Sequence, residues 1–139
     1  MSRLGDIRQA LAAVLVQAEG VNVVEEYPPA TITGNGMAWI GFVDDPITMG
    51  NQEIHELIVP VTVIVNRKGN VQEALQATEP VIDSMLELIR ANQTLELPTI
   101  YRVQYVRVQQ GIWRVGDGLP YVGFQVTLQI KDRFPVVIA

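Results

Sequence analysis

Residues 54–92 read IHELIVPVTVIVNRKGNVQEALQATEPVIDSMLELIRAN, and their patterning decides the fold class. From Ile54 onward apolar residues alternate: Leu57, Val59, Val61, Val63 and Val65 fall on one face, and Glu56, Ile58, Pro60, Thr62, Ile64 and Asn66 on the other. A period of two marks a strand with one face on a core and a semi-polar face opposite. Pro60 has no N–H to give a ladder, which predicts an edge strand or a bulge at that point. Asn66-Arg67-Lys68-Gly69 is a charged turn. Asn70, with Glu73 three residues later, has the form of an N-cap and capping box. The period then becomes helical, with Val71, Ala74, Leu75, Thr78, Ile82, Met85 and Ile89 in one stripe. Pro80 inside the stripe predicts a kink near Gln76 to Thr78 or a helix restarted at Pro80.

Before this block, SRLGDIRQALAAVLVQAEG sets Leu4, Ile7, Leu11, Val14, Leu15 and Ala18 at helical spacing, which predicts an amphipathic core helix rather than a signal peptide. Gly20 is placed to stop it. Val21 to Glu26 reads as a short strand that must end before Tyr27-Pro28-Pro29. Thr33-Gly34-Asn35-Gly36 reads as a turn, Met37 to Val43 as a second, buried strand, and Asp44 to Glu53 as a loop.

After it, Ile100 to Arg133 reads as a long hairpin turning at Gly116-Asp117-Gly118, with Val122, Phe124, Val126, Leu128 and Ile130 on one face. Gly111 in the ascending arm predicts a bulge. No internal repeat or composition break divides the chain. The expected fold class is α+β: a mostly antiparallel sheet with two helices packed on one face and a long C-terminal hairpin.

Composition narrows the function. The 139 residues are 48% hydrophobic and 18% charged, and a chain of this size with so few charges is expected to bury apolar surface against a partner. The absence of cysteine removes disulfides, thiol nucleophiles and thiolate zinc sites. A net charge of -5 lacks the basic footprint of a protein that grips nucleic acid. No apolar run reaches the roughly 20 residues of a membrane span, so a soluble intracellular protein is expected.

Catalytic groups are scarce. His55 is the one histidine, and Ser2 and Ser84 are the two serines, which argues against a Ser-His-Asp triad. Asp44, Asp45, Glu53 and His55 could in principle hold a divalent metal. A solvated loop leading into an exposed strand end is the better account of them, and no metal site is assigned. Gly34-Asn35-Gly36 lacks the length and lysine of a phosphate loop. Glu25-Glu26 and Asp44-Asp45 point to opposite faces as strand neighbours and read as solvated pairs.

Charge is distributed unevenly. Residues 1–100 carry five basic and thirteen acidic side chains, net -8, whereas residues 101–139 carry five basic and two acidic, net +3. Glu79, Asp83 and Glu87 follow at i, i+4, i+8 on the second helix, a like-charge row that disfavours an isolated helix by about 0.2 to 0.5 kcal/mol per pair. Arg102, Arg107 and Arg114 are spread along the hairpin. An ordinary solvated helix face is one account. The sharper expectation is a subunit interface in which the acidic helix of one copy meets the basic hairpin of the next, repeating head to tail into a ring. Ile112-Trp113 near the hairpin turn either folds back on its own sheet or anchors a neighbour.

The order LGDIRQALAAVL, Tyr-Pro-Pro, HELIVPVTVIVNR, NVQEALQATEPVIDSMLELI and GLPYVGFQVTLQI resembles the tail terminator (tail completion) proteins of long-tailed bacteriophages over nearly the whole chain. The resemblance implies that residues 1–139 form one tail-terminator-like domain. It also implies a hexameric ring that caps the tail tube and meets the head-side connector or stopper protein, with no enzymatic activity and no cofactor. The expected location is the virion neck, assembled in the host cytoplasm. DNA would pass through the ring without specific binding, and an acidic lumen would repel phosphate. A head-side stopper or adaptor of the phage neck, and a small ligand-binding α+β domain, stay open as alternatives.

Overall fold

The computed structural model describes residues 2–32, 34–67, 70–114 and 120–135. In chain order the elements are α1 (Arg3–Leu15), β1 (Val23–Glu25), β2 (Met37–Ile40), β3 (Ile47–Met49), β4 (Gln52–Arg67), α2 (Val71–Ala91), β5 (Ile100–Trp113) and β6 (Tyr121–Pro135). They make a six-stranded sheet in the order β1-β2-β4-β6-β5, with β3 paired to the first residues of β4. Only the β1–β2 pair is parallel. Both helices pack on one face, which is the α+β arrangement expected from the sequence. The hairpin turn at 116–118 lies outside the described residues, as do Lys68 and Gly69 and Thr33 of the two other predicted turns.

Alternation builds the core as anticipated. Leu57, Val59, Val61 and Val63 of β4 face Ile130, Leu128, Val126 and Phe124 of β6, and all eight are at most 1% exposed. Ile7, Leu11 and Leu15 of α1 and Val81, Met85 and Ile89 of α2 close over them. Ser2 caps α1 by accepting from the Gly5 N–H at 3.0 Å, and Asn70 caps α2 by accepting from Glu73 N–H at 3.2 Å. Helix α1 stops at Leu15 with Val16 as its C-cap, short of the Gly20 stop expected from the sequence; Gly20, at φ +80°, lies in the turns that follow, where a residue with a Cβ is strained.

Several expectations are corrected. Helix α2 runs from Val71 to Ala91 without restarting at Pro80. Its buried stripe is Ala74, Thr78, Val81, Met85 and Ile89: four of these match the expectation, Val81 is added, Leu75 and Ile82 are only partly buried, and Val71 is 42% exposed. The segment Asp44 to Glu53 is not a plain loop: it contains β3, which forms a hairpin with β4. The buried strand after Gly36 stops at Ile40 rather than Val43. Gly111 pairs with Gly123 without a bulge, and the register shifts of β5 fall at Ile100/Arg102 and Tyr105/Arg107. The Trp113 ring covers Gly111 instead, close enough that a Cβ there would touch it at 3.0 Å.

Pro60 is neither on an edge strand nor at a bulge of its own strand. Strand β4 is central, and Pro60 pairs with Thr127 of β6 with no shift in register. Its missing N–H points to the other side, towards Gly41 just past the end of β2, whose own N–H donates to the Pro60 carbonyl at 2.8 Å. The Gly41 carbonyl, left without a ladder donor, accepts from Arg8 Nη2 at 2.9 Å. The neighbouring chain then takes three steps, Gly41 to Asp44, to cover the two from Pro60 to Ile58. That extra residue puts Phe42 out into solvent at 87% exposure.

Candidate assembly surfaces

The two faces of the sheet differ in what covers them. Opposite the helices, strand alternation presents Ile58, Pro60, Thr62 and Ile64 of β4 and Gly123, Gln125, Thr127, Gln129 and Lys131 of β6. Gln104 Nε2 donates to Gln129 Oε1 at 2.6 Å across this face, and Gln125 Nε2 donates to Thr62 Oγ1 at 3.3 Å. At the end nearest the β5–β6 turn a second, smaller core forms from Met37, Trp39 and Ile64, with Ile32, Trp113 and Tyr121 packed against it.

The residues singled out for an interface separate into distinct places. Glu79, Asp83 and Glu87 are exposed along the outer surface of α2. Arg102 and Arg107 are exposed on β5, where Arg102 pairs with Lys131 and Arg107 with Thr127, which sets both on the uncovered face. The acidic row and these two arginines therefore lie on opposite sides of the sheet. Arg114 is exposed just beyond β5. Trp113 folds back onto its own sheet in the small second core, while Ile112 pairs with Val122 on the other side of the strand and is 50% exposed. No ion pair engages Glu79, Asp83, Glu87, Arg102, Arg107 or Arg114 among the described residues.

Both lateral edges carry uncovered apolar side chains. Strand β5 ends the sheet and exposes Tyr101, Val106, Val108 and Ile112; on the other side, where β1 ends the strand order, Val23 of β1 is exposed, as are Ile47 and Met49 of β3, which pairs with β4 off that order. Helix α2 is tied to β5 by polar bonds, with Gln110 Nε2 donating to Thr78 Oγ1 at 2.8 Å and Arg90 Nη1 donating to the Tyr105 hydroxyl at 2.6 Å.

Of the four residues weighed as metal ligands, three come together and one does not. His55 is on the helix-covered face, two residues along from Leu57, and is 6% exposed. Its Nδ1 lies 2.9 Å from Asp45 Oδ1, and its Nε2 meets a Glu53 carboxylate oxygen. Asp44 stays outside, exposed, its backbone bridged to Ile58. Arg3 joins the group, donating to Asp45 at 2.9 Å and to the buried Asp132 at 3.0 Å, and the edge of the Phe134 ring closes it. The hydrogen bond to Glu53 raises the His55 pKa above its ordinary value; burial opposes this and Asp45 assists it. With a carboxylate on each nitrogen the imidazolium donates twice, so the cluster is an internal ion network with both ring nitrogens engaged. No group of three or more residues able to hold a metal ion is found among the described residues. Sequence reasoning missed Arg3 and Asp132, whose partners are 42 and 129 positions away. Parity with Leu57 was the one available signal that His55 is buried.

Surface hollows of about 350 Å³ between α1 and residues 92–96, and of about 460 Å³ beneath Tyr27-Pro28-Pro29, collect no histidine or serine. No helix among the described residues is long and apolar enough to cross a membrane.

No known family model matches the chain, and no curated protein is similar enough to count as a relative.

Proposed function

We propose that this protein is a structural, non-enzymatic component of a bacteriophage neck: a tail terminator whose ring caps the tail tube and joins it to the head-side connector. The observation that carries the reading is the pair of uncovered sheet edges. Strand β5 is a 14-residue edge strand without proline, and with β3 across the sheet it leaves Val106, Val108, Ile112, Ile47 and Met49 more than a third exposed. Apolar side chains left uncovered at two separate places on a monomer are surfaces that a finished assembly covers. Two different edges on one chain favour a head-to-tail contact, and such a contact closes into a ring when its rotation allows.

The order of elements that resembles the tail terminators supports six copies, with the tail tube protein on one side and the head-side connector or stopper on the other. In this reading DNA passes through the ring, no cofactor is needed, and the protein works in the virion after assembly in the host cytoplasm.

The test mixes purified protein with isolated tail tubes and, separately, with DNA-filled heads lacking tails, and images both by electron microscopy. Rings on the tube end support the terminator reading. Attachment to heads alone transfers the protein to the stopper or adaptor class, and attachment to neither removes it from the neck.

A further inference from the structure

We infer that the β5–β6 half of the uncovered sheet face seats the outer surface of helix α2 from a second copy of this chain, an inference that rests on the ring reading above. Register sets Arg102 beside Lys131, Arg107 beside Thr127 and Arg133 beside Ile54, so four cations share this half of the face. Arg133 and Lys131 lie over the Tyr101 ring, at 3.8 and 5.6 Å from its centroid. Arg102 and Arg107 have no anionic partner among the described residues. The anions of the same face, Glu25, Asp44 and Glu56, belong to β1, the segment after β2, and β4.

The acidic surface is built to a matching length. Glu79, Asp83 and Glu87 rise one above another over about 12 Å of helix. Arg102 and Arg107, opposite Lys131 and Thr127, are about 14 Å apart along the strands. Between Arg102 and Arg107 lie Gln104 and Gln129, and Gln109 and Gln125 follow just beyond Arg107; their amides can donate to carboxylates. Arg90, the cation in the last turn of α2, is turned to Tyr105 and does not neutralise the row. Within one copy the sheet stands between the two charged surfaces, so they meet only between copies. Each copy then offers one helix surface and one sheet face, a heterologous contact that propagates in one direction.

A second copy fits the face better than DNA does. The acidic row of a second copy ends within the cationic half of the face, whereas a phosphate backbone runs on past the four cations onto the anions of β1 and β4.

Two charge-reversed variants test the contact: E79K/D83K/E87K, positive on both surfaces, and R102E/R107E, which keeps the acidic helix and puts two carboxylates where the sheet face had its two arginines without an anionic partner. Circular dichroism and urea midpoints first establish that each is folded, and native mass spectrometry then reads assembly at low salt. Each variant alone is expected to self-associate about 100-fold or more weakly than wild type. An equimolar mixture is expected to recover the wild-type mass, because each reversed helix now meets a reversed sheet. Either variant keeping the wild-type mass alone, or a mixture that stays monomeric, overturns the contact; rings on tail tubes would still uphold the neck reading. A wild type that is monomeric at every concentration also overturns it. Retention of a DNA duplex by wild type, lost in R102E/R107E with assembly unchanged, would reassign the face to a polyanion.

Discussion

Arg8 donates to the Gly41 carbonyl that Pro60, directly across the ladder, has no N–H to reach. The same guanidinium donates to the carbonyls of Ile40 at 3.1 Å and Glu26 at 2.7 Å and lies 4.5 Å from the centroid of the Tyr27 ring. One buried side chain thus closes the ends of β1 and β2 where the ladder stops. Arg8→Met is expected to destabilise the fold by about 2 to 4 kcal/mol in urea unfolding, because buried carbonyls lose their donors. In a Pro60→Val background a backbone N–H returns to Gly41. The double mutant is expected to be about 1 kcal/mol more stable than the two single effects added together. Strict additivity would break the link between the two residues.

His55 predicts a pH dependence with a definite sign. Its folded pKa is raised by Glu53, so the native state holds the proton more tightly than the unfolded chain, whose value is about 6.5. The stabilisation is fully present below about pH 6.5 and declines as pH rises through the folded pKa. Urea midpoints are expected to fall across that range and level off above it. His55→Gln should flatten the curve there, and Glu53→Gln should narrow the window. A midpoint that rises with pH over the same interval would contradict this cluster.

Gly123 pairs with Ile64 next to the register shift at Ile64/Asn66, where a Cβ would overlap the Val63 carbonyl oxygen. Gly123→Ala must move backbone in the centre of the sheet and is expected to cost about 3 kcal/mol or to abolish folding. Gly50→Ala, at a position with open space around it, should stay within about 0.5 kcal/mol by thermal unfolding.

Trp113 and Ile112 are neighbours with opposite expected effects. Trp113 packs on Met37, Trp39 and Ile64, so Trp113→Ala should lower monomer stability by about 2 to 3 kcal/mol. Ile112 is half exposed, and Ile112→Ala should leave monomer stability within about 0.5 kcal/mol. Measuring both in dilute solution by urea unfolding separates the contribution of this sheet from that of any neighbour.

The strands and helices were legible because their signals are local. The alternation from Leu57 to Val63, the helical spacing of Ile7, Leu11 and Leu15, and the cap at Asn70 each need only a few consecutive residues. The expectations that failed were about position in the sheet. Pro60 looked like an edge residue because a proline reports a missing donor, and nothing in the sequence shows that Arg8 takes its place. Gly111 suggested a bulge because a bare glycine in a strand has that common cause, whereas here Trp113 lies over it. The short strand β3 was hidden because all three of its residues are exposed and give no burial pattern.

For function the division is similar. The sequence by itself determined two amphipathic helices, a long hairpin, a scarcity of catalytic groups and an acidic row opposed by scattered arginines, since each follows from residue type and spacing. Only the tertiary structure decided that Arg102 and Arg107 share a face with Lys131 while Glu79, Asp83 and Glu87 lie on the other side of the sheet. It also decided that His55, Arg3 and Asp132 join one partly buried network through Asp45. These depend on which strands become neighbours, and pairing is fixed by cooperative packing of residues far apart in the chain rather than by any local run.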